Sequence, residues 1–346
     1  MNHRPTLRLL LASLLCLLNT SLYADDWMAQ LPDSTPVASM TIPGTHDAAT
    51  GNGFLTRDSA LAAVIATTQA LPLSQQWSAG IRAFDLRPGV MTDAEGNCHL
   101  HIYHGEFATR LTFDEALQLL ADSLRTHPTE GAIVVMQHEG SPSRPREPWA
   151  RLMGESLARQ AGLFVAFRPD LRLADWRGKI LLISRDDYEG RQFGAMARNW
   201  TFSPDLNEQQ SARLEADGGR AQLWVQDFYD TSASHGLRTK TRALNTLWKQ
   251  SFKAPSEGAR PWIINHCSGY SITTDRLTGQ AVSLSAGYRA NASATNTKML
   301  QLLARTQKGV GAGIVMMDFG GVDSTDGHAV SGRQLVRALI GHNTSR

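Results

Sequence analysis

The feature that most constrains the fold is an alternation along the chain of short apolar runs, rich in β-branched residues, with segments of helical periodicity. Such alternation favours a parallel sheet that either closes into a barrel or opens into a doubly wound sheet. Eight strand–helix units fit a chain of 346 residues as one barrel. We therefore predict a single α/β domain with an irregular TIM-type (β/α)8 fold. The predicted strands are 39–45, 81–87, 99–104, 132–139, 180–185, 222–229, 262–267 and 313–319.

One intervening helix has a clear start. Thr112 and Glu115 have the spacing of a capping box, in which two side chains satisfy each other's backbone N–H groups. Apolar residues then recur at helical spacing until Pro128 ends the run. The sequence therefore predicts an amphipathic helix after Thr112.

The first 24 residues predict export. A short basic start with Arg4 and Arg8 precedes an apolar run of about ten residues, half of the roughly twenty that a membrane span needs. We predict a cleaved secretory signal peptide over 1–24 and a barrel domain over 25–346. The protein is then periplasmic or extracellular, and the sequence does not choose between the two.

The charge balance excludes some classes of partner. Lys and Arg number 34 against 32 acids, and removal of Arg4 and Arg8 with the leader makes the two signs equal. This balance argues against a polybasic nucleic-acid binder, although a local basic patch could still exist. We expect no nucleic-acid partner, and we also expect a monomer. Cys98 and Cys267 could form a disulfide or remain separate thiols, and we favour separate thiols.

Ionisable side chains stand at the carboxyl ends of four predicted strands. Ends of parallel strands meet at one face of a barrel, so these side chains are expected to share one pocket. Two imidazoles can act as general base and general acid, and a guanidinium can stabilise a phosphoryl transition state. The set suits cleavage of a phosphodiester by a neighbouring hydroxyl. Its members are His46, Asp47, Asp85, Arg87, His104 and Asp318.

Each of these residues also has an ordinary interpretation, as a hydrogen-bonded residue beside a strand end. His99, His101 and His104 could form a metal site, but His104 lies on the opposite strand face from the other two. His138 and His266 also stand near strand ends, and their roles stay open.

At these residues the chain resembles the bacterial phosphatidylinositol-specific phospholipase C family, the X-domain type. Three motifs carry the resemblance, and together they are highly specific: TIPGTHDA at 41–48, QQWSAGIRAFDLR at 75–87 and YHG at 103–105. Weaker matches follow at 178–182, 225–229, 264–265 and 316–319. The resemblance thus covers the whole chain after the leader, strongly in its first third.

The resemblance implies an irregular TIM-type barrel that cleaves phosphatidylinositol to diacylglycerol and inositol 1,2-cyclic phosphate. By this analogy His46, held by Asp318, takes the proton of the inositol 2-hydroxyl, which then attacks phosphorus. His104, assisted by Asp47, gives a proton to the departing diacylglycerol oxygen. Asp85 orders the cluster.

The resemblance also bears on cofactors. Arg87 would bind the phosphate. Relatives that use calcium hold it with acidic ligands at this place, where a guanidinium would repel the ion. We therefore expect neither a metal nor another cofactor.

Headgroup contacts follow from the same resemblance. Arg185 and Asp227 would bind inositol hydroxyls, and Tyr229 would pack against the ring. A salt-bridged strand end and a core tyrosine are the alternative interpretation. Gln137, with its neighbours His138 and Glu139, stands where family members commonly carry a lysine, which leaves the headgroup preference open.

A phospholipase also needs transient contact with a membrane surface. An apolar segment between the first two strands is one candidate for this contact, and a helix packed on the barrel is its alternative. Trp200 is a second candidate. The apolar residues of the segment are Phe54, Leu55, Leu61, Val64, Ile65 and Leu71.

Two other functions remain open. A metal-dependent glycerophosphodiesterase or sphingomyelinase-like barrel shares strand-end histidines but requires a pair of acids where Asp85 and Arg87 stand. A catalytically idle X-domain that binds lipid or glycan is disfavoured because both histidines and the arginine are present. The substrate itself could be free phosphatidylinositol or a glycosylated derivative.

Overall fold

The computed structural model describes residues 24–344 apart from 56–61, 64, 141–145, 206–210, 234, 255–259, 275–280, 284–286 and 310. The predicted signal peptide lies outside these ranges except for Ala24. Within them, no helix is long and apolar enough to cross a membrane.

The strands in chain order are β1 (Thr41–Thr45), β2 (Ala83–Leu86), β3 (Pro88–Thr92), β4 (Cys98–His104), β5 (Phe107–Thr112), β6 (Ala132–Met136), β7 (Ile180–Ser184), β8 (Ala195–Arg198), β9 (Arg213–Ala216), β10 (Gly219–Gln226), β11 (Trp262–His266), β12 (Ile272–Thr274), β13 (Ala281–Ser283), β14 (Gly313–Met317), β15 (Ser324–Thr325) and β16 (His328–Ala329). The helices are α1 (Leu73–Ser78), α2 (Phe113–Thr126), α3 (Arg146–Arg159), α4 (Leu173–Trp176), α5 (Gly236–Ser251), α6 (Gly287–Leu303) and α7 (Gly332–His342). Short 3₁₀ helices cover Trp27–Gln30, Val37–Ser39, Ala48–Asn52 and Ala161–Leu163.

Nine strands close a barrel in the order β1-β14-β11-β10-β9-β8-β7-β6-β2. Eight of them run parallel, and β9 is antiparallel to both of its neighbours. The prediction of a single α/β domain with an irregular TIM-type barrel is confirmed. The irregularity is the inserted strand β9.

One predicted barrel strand is wrong. The run 99–104 belongs to β4, which lies in a separate antiparallel sheet with β3 and β5. Its residues alternate between polar and apolar, which is typical of a two-faced antiparallel strand, whereas parallel strands buried on both faces are continuously apolar. The eighth parallel strand is instead β8, whose four residues are too few to show a period.

The predicted capping box is confirmed. Thr112 Oγ1 accepts the N–H of Glu115 at 3.2 Å, and Glu115 Oε2 accepts the N–H of Thr112 at 2.8 Å. The apolar face of α2 is buried in the main hydrophobic core, as the helical spacing predicts. Its buried residues are Phe113, Ala116, Leu117, Leu120 and Leu124.

The first and last barrel strands lie side by side. β1 pairs with β14 over five residues, and Gly44 and Thr45 also pair with β2. A Cβ on Gly44 would lie 2.4 Å from Met316 Sδ and 3.0 Å from Ala83 Cβ, so a side chain here would require Met316 to move. Residues that follow β1 and β14, 272 positions apart, therefore meet at one end of the barrel.

A buried ion pair closes the opposite end. Arg82 and Glu130 precede β2 and β6, and Arg82 Nε lies 2.9 Å from Glu130 Oε2. The guanidinium also stacks on Trp77 at 3.9 Å. Arg82 is part of the second family-like motif, and it stabilises the fold rather than the pocket.

Candidate active site

His46 lies directly after β1, and its backbone N–H donates to the carbonyl of Met317 at 3.0 Å. On one side of the ring, Nδ1 lies 2.9 Å from Asp318 Oδ1. On the other side, Nε2 lies 3.1 Å from Asp47 Oδ2. The imidazole is therefore held between two carboxylates that are themselves buried.

Asp47 turns the chain at the mouth of the barrel in a left-handed conformation, with φ of 44°. Non-glycine residues adopt this region rarely, and it recurs at functional sites. The turn lets its backbone N–H donate to Asp85 Oδ2 at 3.1 Å. It also places Asp47 Oδ2 within 3.1 Å of His46 Nε2 and 3.2 Å of His104 Nε2. One carboxylate oxygen thus contacts both imidazoles.

Arg87 follows β2, and its guanidinium contacts two carboxylates. Its Nε lies 2.8 Å from Asp47 Oδ1, and its Nη2 lies 3.0 Å from Asp85 Oδ2. Nη1 lies 4.0 Å from Glu139 Oε2, and Arg87 lines the cavity described below. The guanidinium is therefore fixed on one side and available to an anion on the other.

His104 ends β4 and reaches the barrel mouth from the side sheet. Its Nδ1 lies 2.7 Å from the carbonyl oxygen of Ala66, which can only accept, so Nδ1 carries a hydrogen. Its ring centroid lies 6.1 Å from that of His46, at a steep interplanar angle of 79°. The two histidines face a common space from different sheets.

The charges of the cluster separate the two imidazoles. Burial opposes protonation of His46, but the carboxylates of Asp47 and Asp318 outweigh it and raise its pKa to about 9. Burial, together with the positive charges of Arg87 and His46, lowers the pKa of His104 to about 4. At neutral pH His46 is therefore the charged imidazolium, and His104 is a neutral imidazole.

The carboxyl groups of Asp47 and Asp85 also differ in pKa. Burial raises the pKa of Asp47 to about 6. Burial also opposes ionisation of Asp85, but the charge of Arg87 outweighs it and lowers that pKa. The two carboxylates raise the pKa of Arg87 well above its ordinary value, against the effect of burial.

A cavity of about 240 Å³ opens above this cluster. Seven of the ten predicted site residues line it, and the other three, Asp47, Asp85 and Asp318, are buried carboxylates beside its lining residues. The prediction of one shared pocket therefore agrees with the geometry. The seven lining residues are His46, Arg87, His104, Gln137, Arg185, Asp227 and Tyr229.

The predicted headgroup residues follow β6, β7 and β10 and line the same cavity. Arg185 Nη1 lies 3.8 Å from Asp227 Oδ2, which also accepts the indole N–H of Trp200 at 2.9 Å. Arg185 lies over the Trp200 ring at 4.4 Å. His266, which the sequence left ambiguous, lies 3.5 Å from Asp227 Oδ1. β10 ends at Gln226, so the predicted strand to residue 229 is three residues too long.

Two of the residues named as membrane candidates are held within the protein. Trp200 is half-buried and bonded to Asp227 beneath Arg185, so it serves the cavity wall. Phe54 is buried against Phe107 in a small apolar cluster. Leu61 and Val64 lie outside the described residues. Within the described chain, the exposed large apolar side chains at this cavity are Phe202 and Tyr229, at 43% and 38% exposure.

Sequence reasoning gave no site role to several lining residues. Glu139 Oε1 accepts the backbone N–H of Gly105 at 2.9 Å, which braces the turn after His104. Tyr288 Oη lies 3.2 Å from His104 Nε2. Tyr270 stacks on Tyr229, with ring centroids 5.7 Å apart. Tyr270 and Tyr288 lie in or next to the long aperiodic segment after β11, and no sequence pattern points to them.

One group of side chains has the spacing of a metal site. Ligand atoms of His46, Asp47 and Asp85 lie within 4.8 Å of one another. However, Arg87 already lies within 3.0 Å of both acids, and a cation between them would be adjacent to the guanidinium. The donor set therefore fits a guanidinium better than an ion, and metal independence stays a prediction. The alternative three-histidine metal site is also disfavoured, because His101 Nε2 bonds to the carbonyl oxygen of Thr109 at 2.7 Å.

Both cysteines of the described residues are free thiols, with Cys98 exposed and Cys267 buried. This agrees with the preference for separate thiols. Cys98 lies at the outer end of the side sheet, in β4, and Cys267 directly follows β11.

Comparison with known proteins identifies relatives. No protein-family model matches the chain. A 1-phosphatidylinositol phosphodiesterase of Listeria monocytogenes is 28% identical over 309 residues, which are 87% of this chain and 83% of the relative. A 1-phosphatidylinositol phosphodiesterase of Staphylococcus aureus is 26% identical over 59% of this chain and 64% of the relative.

Solved structures share the fold. The phosphatidylinositol-specific phospholipase C of L. monocytogenes superposes with a TM-score of 0.66 at 24% identity, over 93% of this chain and 99% of that one. A variant of the S. aureus enzyme superposes with a TM-score of 0.72 at 19% identity, over 94% and 99%. At such identities these structures support the barrel fold alone. The similarity to phosphodiesterases rests on the relatives found by sequence. In sequence and in fold, the chain is therefore similar to the bacterial phosphatidylinositol-specific phospholipases C.

Proposed function

We propose that this protein is a phospholipase C that cleaves phosphatidylinositol to diacylglycerol and inositol 1,2-cyclic phosphate. The observation that carries the proposal is the shared contact of two imidazoles with Asp47 Oδ2, beside a guanidinium at the floor of one cavity. The named activity of the Listeria and Staphylococcus relatives supports the choice of substrate.

His46 acts as the general base. Its Nε2 takes the proton of the inositol 2-hydroxyl, whose oxygen forms a bond to phosphorus within the same molecule. The imidazolium that results lies between Asp47 and Asp318, which favour the charge. Asp318 bonds to Nδ1, and so it fixes the ring orientation that leaves Nε2 facing the cavity.

His104 acts as the general acid. The bond between phosphorus and the diacylglycerol oxygen breaks, and this oxygen takes the proton of His104 Nε2. In the free protein His46 is the charged imidazolium and His104 is neutral. The reactive form has the opposite arrangement, with His46 neutral and His104 charged. Asp47 Oδ2, in contact with both Nε2 atoms, provides the path for that transfer.

The substrate itself favours the reactive form. Arg87 is one of the charges that lower the pKa of His104. A phosphodiester anion bound to Arg87 offsets this positive charge and adds a negative charge beside His104. Binding therefore raises the proton affinity of the general acid. Asp85 holds Arg87 in place for this contact.

The inositol headgroup contacts the residues that follow β6, β7 and β10 in this cavity. Arg185 and Asp227 offer donors and acceptors to the ring hydroxyls, and Tyr229 offers an aromatic face. Gln137 lines both this cavity and a second, more open one of about 460 Å³. The second cavity gives room for a substituent on the inositol ring, which supports a glycosylated lipid as an additional substrate. Its other lining residues are His138, Arg185, Asp186, Ala197, Arg198, Asn199 and Trp200.

The protein acts as a secreted monomer that touches membranes transiently. The predicted leader over 1–24 supports export, and the balanced charge of residues 25–346 gives no reason to expect a nucleic-acid partner. Phe202 and Tyr229 contact each other at the cavity and form an exposed aromatic rim there. Modulation of membrane binding has been described for the S. aureus phospholipase, which supports the same behaviour here.

The test is a panel of phospholipids with different headgroups, with and without a glycan on inositol, assayed with and without a chelator. Products are identified by phosphorus NMR. We expect chelator-resistant release of a cyclic phosphate from inositol lipids only. Activity abolished by the chelator would favour the metal-dependent phosphodiesterase, and lipid binding without turnover would favour the idle domain.

A further inference from the structure

Tyr288 lies on the leaving-group side of the cavity, next to His104. It is the second residue of α6, and its side chain is buried and lines the cavity. Its Oη lies 3.2 Å from His104 Nε2, and the two ring centroids are 5.7 Å apart. Neither the family-like motifs nor the mechanism above assigns it a role.

The tautomer of His104 fixes which partner donates. Since Nδ1 donates to the Ala66 carbonyl, neutral His104 has a lone pair on Nε2. The Tyr288 hydroxyl is then the donor to Nε2. Burial, together with the charges of Asp47 and Asp318, raises the pKa of Tyr288 well above its ordinary value, so it keeps its hydrogen at working pH.

The packing of Tyr288 holds this hydroxyl in place. Its ring lies in an apolar cluster with Ala292, Phe319 and Val330, and its centroid is 6.0 Å from that of Tyr270. A donor that is already positioned needs little reorganisation when charge develops on a nearby oxygen.

The geometry points to Tyr288 as a second hydrogen-bond donor to the leaving-group oxygen. His104 Nε2 and Tyr288 Oη are 3.2 Å apart, so an oxygen at hydrogen-bond distance from one can also reach the other. When Nε2 carries the proton it no longer accepts from Tyr288. Rotation of the phenolic O–H then directs it to the same departing oxygen, which takes its proton from His104.

This inference rests on the proposed function, and it predicts a dependence on the leaving group. Diacylglycerol leaves as a poorly stabilised alkoxide, whereas 4-nitrophenolate leaves without protonation. Tyr288→Phe should slow cleavage of phosphatidylinositol by about 10²-fold and cleavage of the 4-nitrophenyl ester of inositol 1-phosphate by less than about threefold. His104→Ala should show the same contrast.

Both esters are assayed on one preparation, so the ratio of the two rates does not depend on the folded fraction. Tyr188→Phe is the matched control, since it removes a buried hydroxyl that bonds only to the backbone of Phe193 among the contacts described. It should change both rates by one factor. An active wild type whose Tyr288→Phe variant slows both esters equally would overturn the role of Tyr288. A wild type inactive on both esters would overturn the proposed function, and the inference with it.

Discussion

His46 Nδ1 and Asp318 Oδ1 lie 2.9 Å apart, although the two residues are 272 positions apart in the chain. The contact exists because β1 and β14 are neighbours at the closure of the barrel. Asp318 is held in turn, since its Oδ2 accepts the backbone N–H of Gly269 at 3.3 Å and its carbonyl accepts from Asn296 at 3.1 Å. The base is therefore oriented by a fixed carboxylate.

Asp318→Asn should keep the fold and lose activity. The amide preserves the shape but removes the charge that supports the His46 imidazolium, and it can hold the wrong tautomer of the ring. We expect kcat to fall by about 10⁴-fold, as for a comparable carboxylate–histidine pair. Steady-state kinetics measure the loss. Asp326→Asn, which neutralises an exposed acid, is the control and should leave the rate unchanged.

Arg87→Lys should be far more damaging than its conservation of charge suggests. A single ammonium cannot reach Asp47, Asp85 and a phosphate together, whereas the planar guanidinium contacts both acids and keeps one nitrogen toward the cavity. We expect kcat to fall by about 10²-fold or more. Turnover within a few-fold of the wild-type rate would contradict its assignment to the phosphate.

The aromatic rim gives a prediction for membrane contact. Phe202→Ser removes the most exposed large apolar side chain at the cavity, so sedimentation with phosphatidylcholine vesicles should weaken by several-fold. Trp200→Phe should leave vesicle binding largely intact, because Trp200 is bonded to Asp227 within the wall. The reverse order of the two effects would restore Trp200 as the contact residue.

The sequence predicted the barrel because its strands are buried on both faces and therefore read as apolar runs. The sequence also predicted that His46, Asp85 and Asp318 lie close together, because the carboxyl ends of barrel strands lie at the same face of the barrel. It missed β8 because four residues show no period. It also placed β4 in the barrel, although the alternation around His101 indicates a two-faced strand.

The missed site residues have a common cause. Tyr288 and Tyr270 reach the cavity from connections, and loop geometry depends on packing that no local pattern encodes. Glu139 also lines the cavity, but the sequence shows only that no lysine stands at 137–139 and not which of these side chains faces the substrate. The short distances from Asp47 to both histidines depend on its left-handed backbone conformation, which no pattern in the sequence predicts.

The stability of the protein should depend on pH in opposite ways through its two catalytic histidines. His46 has its pKa raised from 6.5 to about 9, so protonated His46 stabilises the folded state. This contribution is complete below pH 6.5, the value for an unfolded histidine, and is lost as pH rises through 9. His104 has its pKa lowered to about 4, so its contribution is present above pH 6.5 and is lost as pH falls toward 4.

Urea unfolding of the wild type, His46→Gln and His104→Gln across pH 4 to 9.5 tests this. The stability difference between wild type and His46→Gln should shrink by about 3 kcal/mol as pH rises from 6.5 to above 9. The difference for His104→Gln should instead shrink as pH falls from 6.5 to 4. Groups outside this cluster titrate alike in wild type and variant, so their contributions cancel from each difference. Differences that stay constant with pH would mean that Asp47 and Asp318 do not hold a proton on His46.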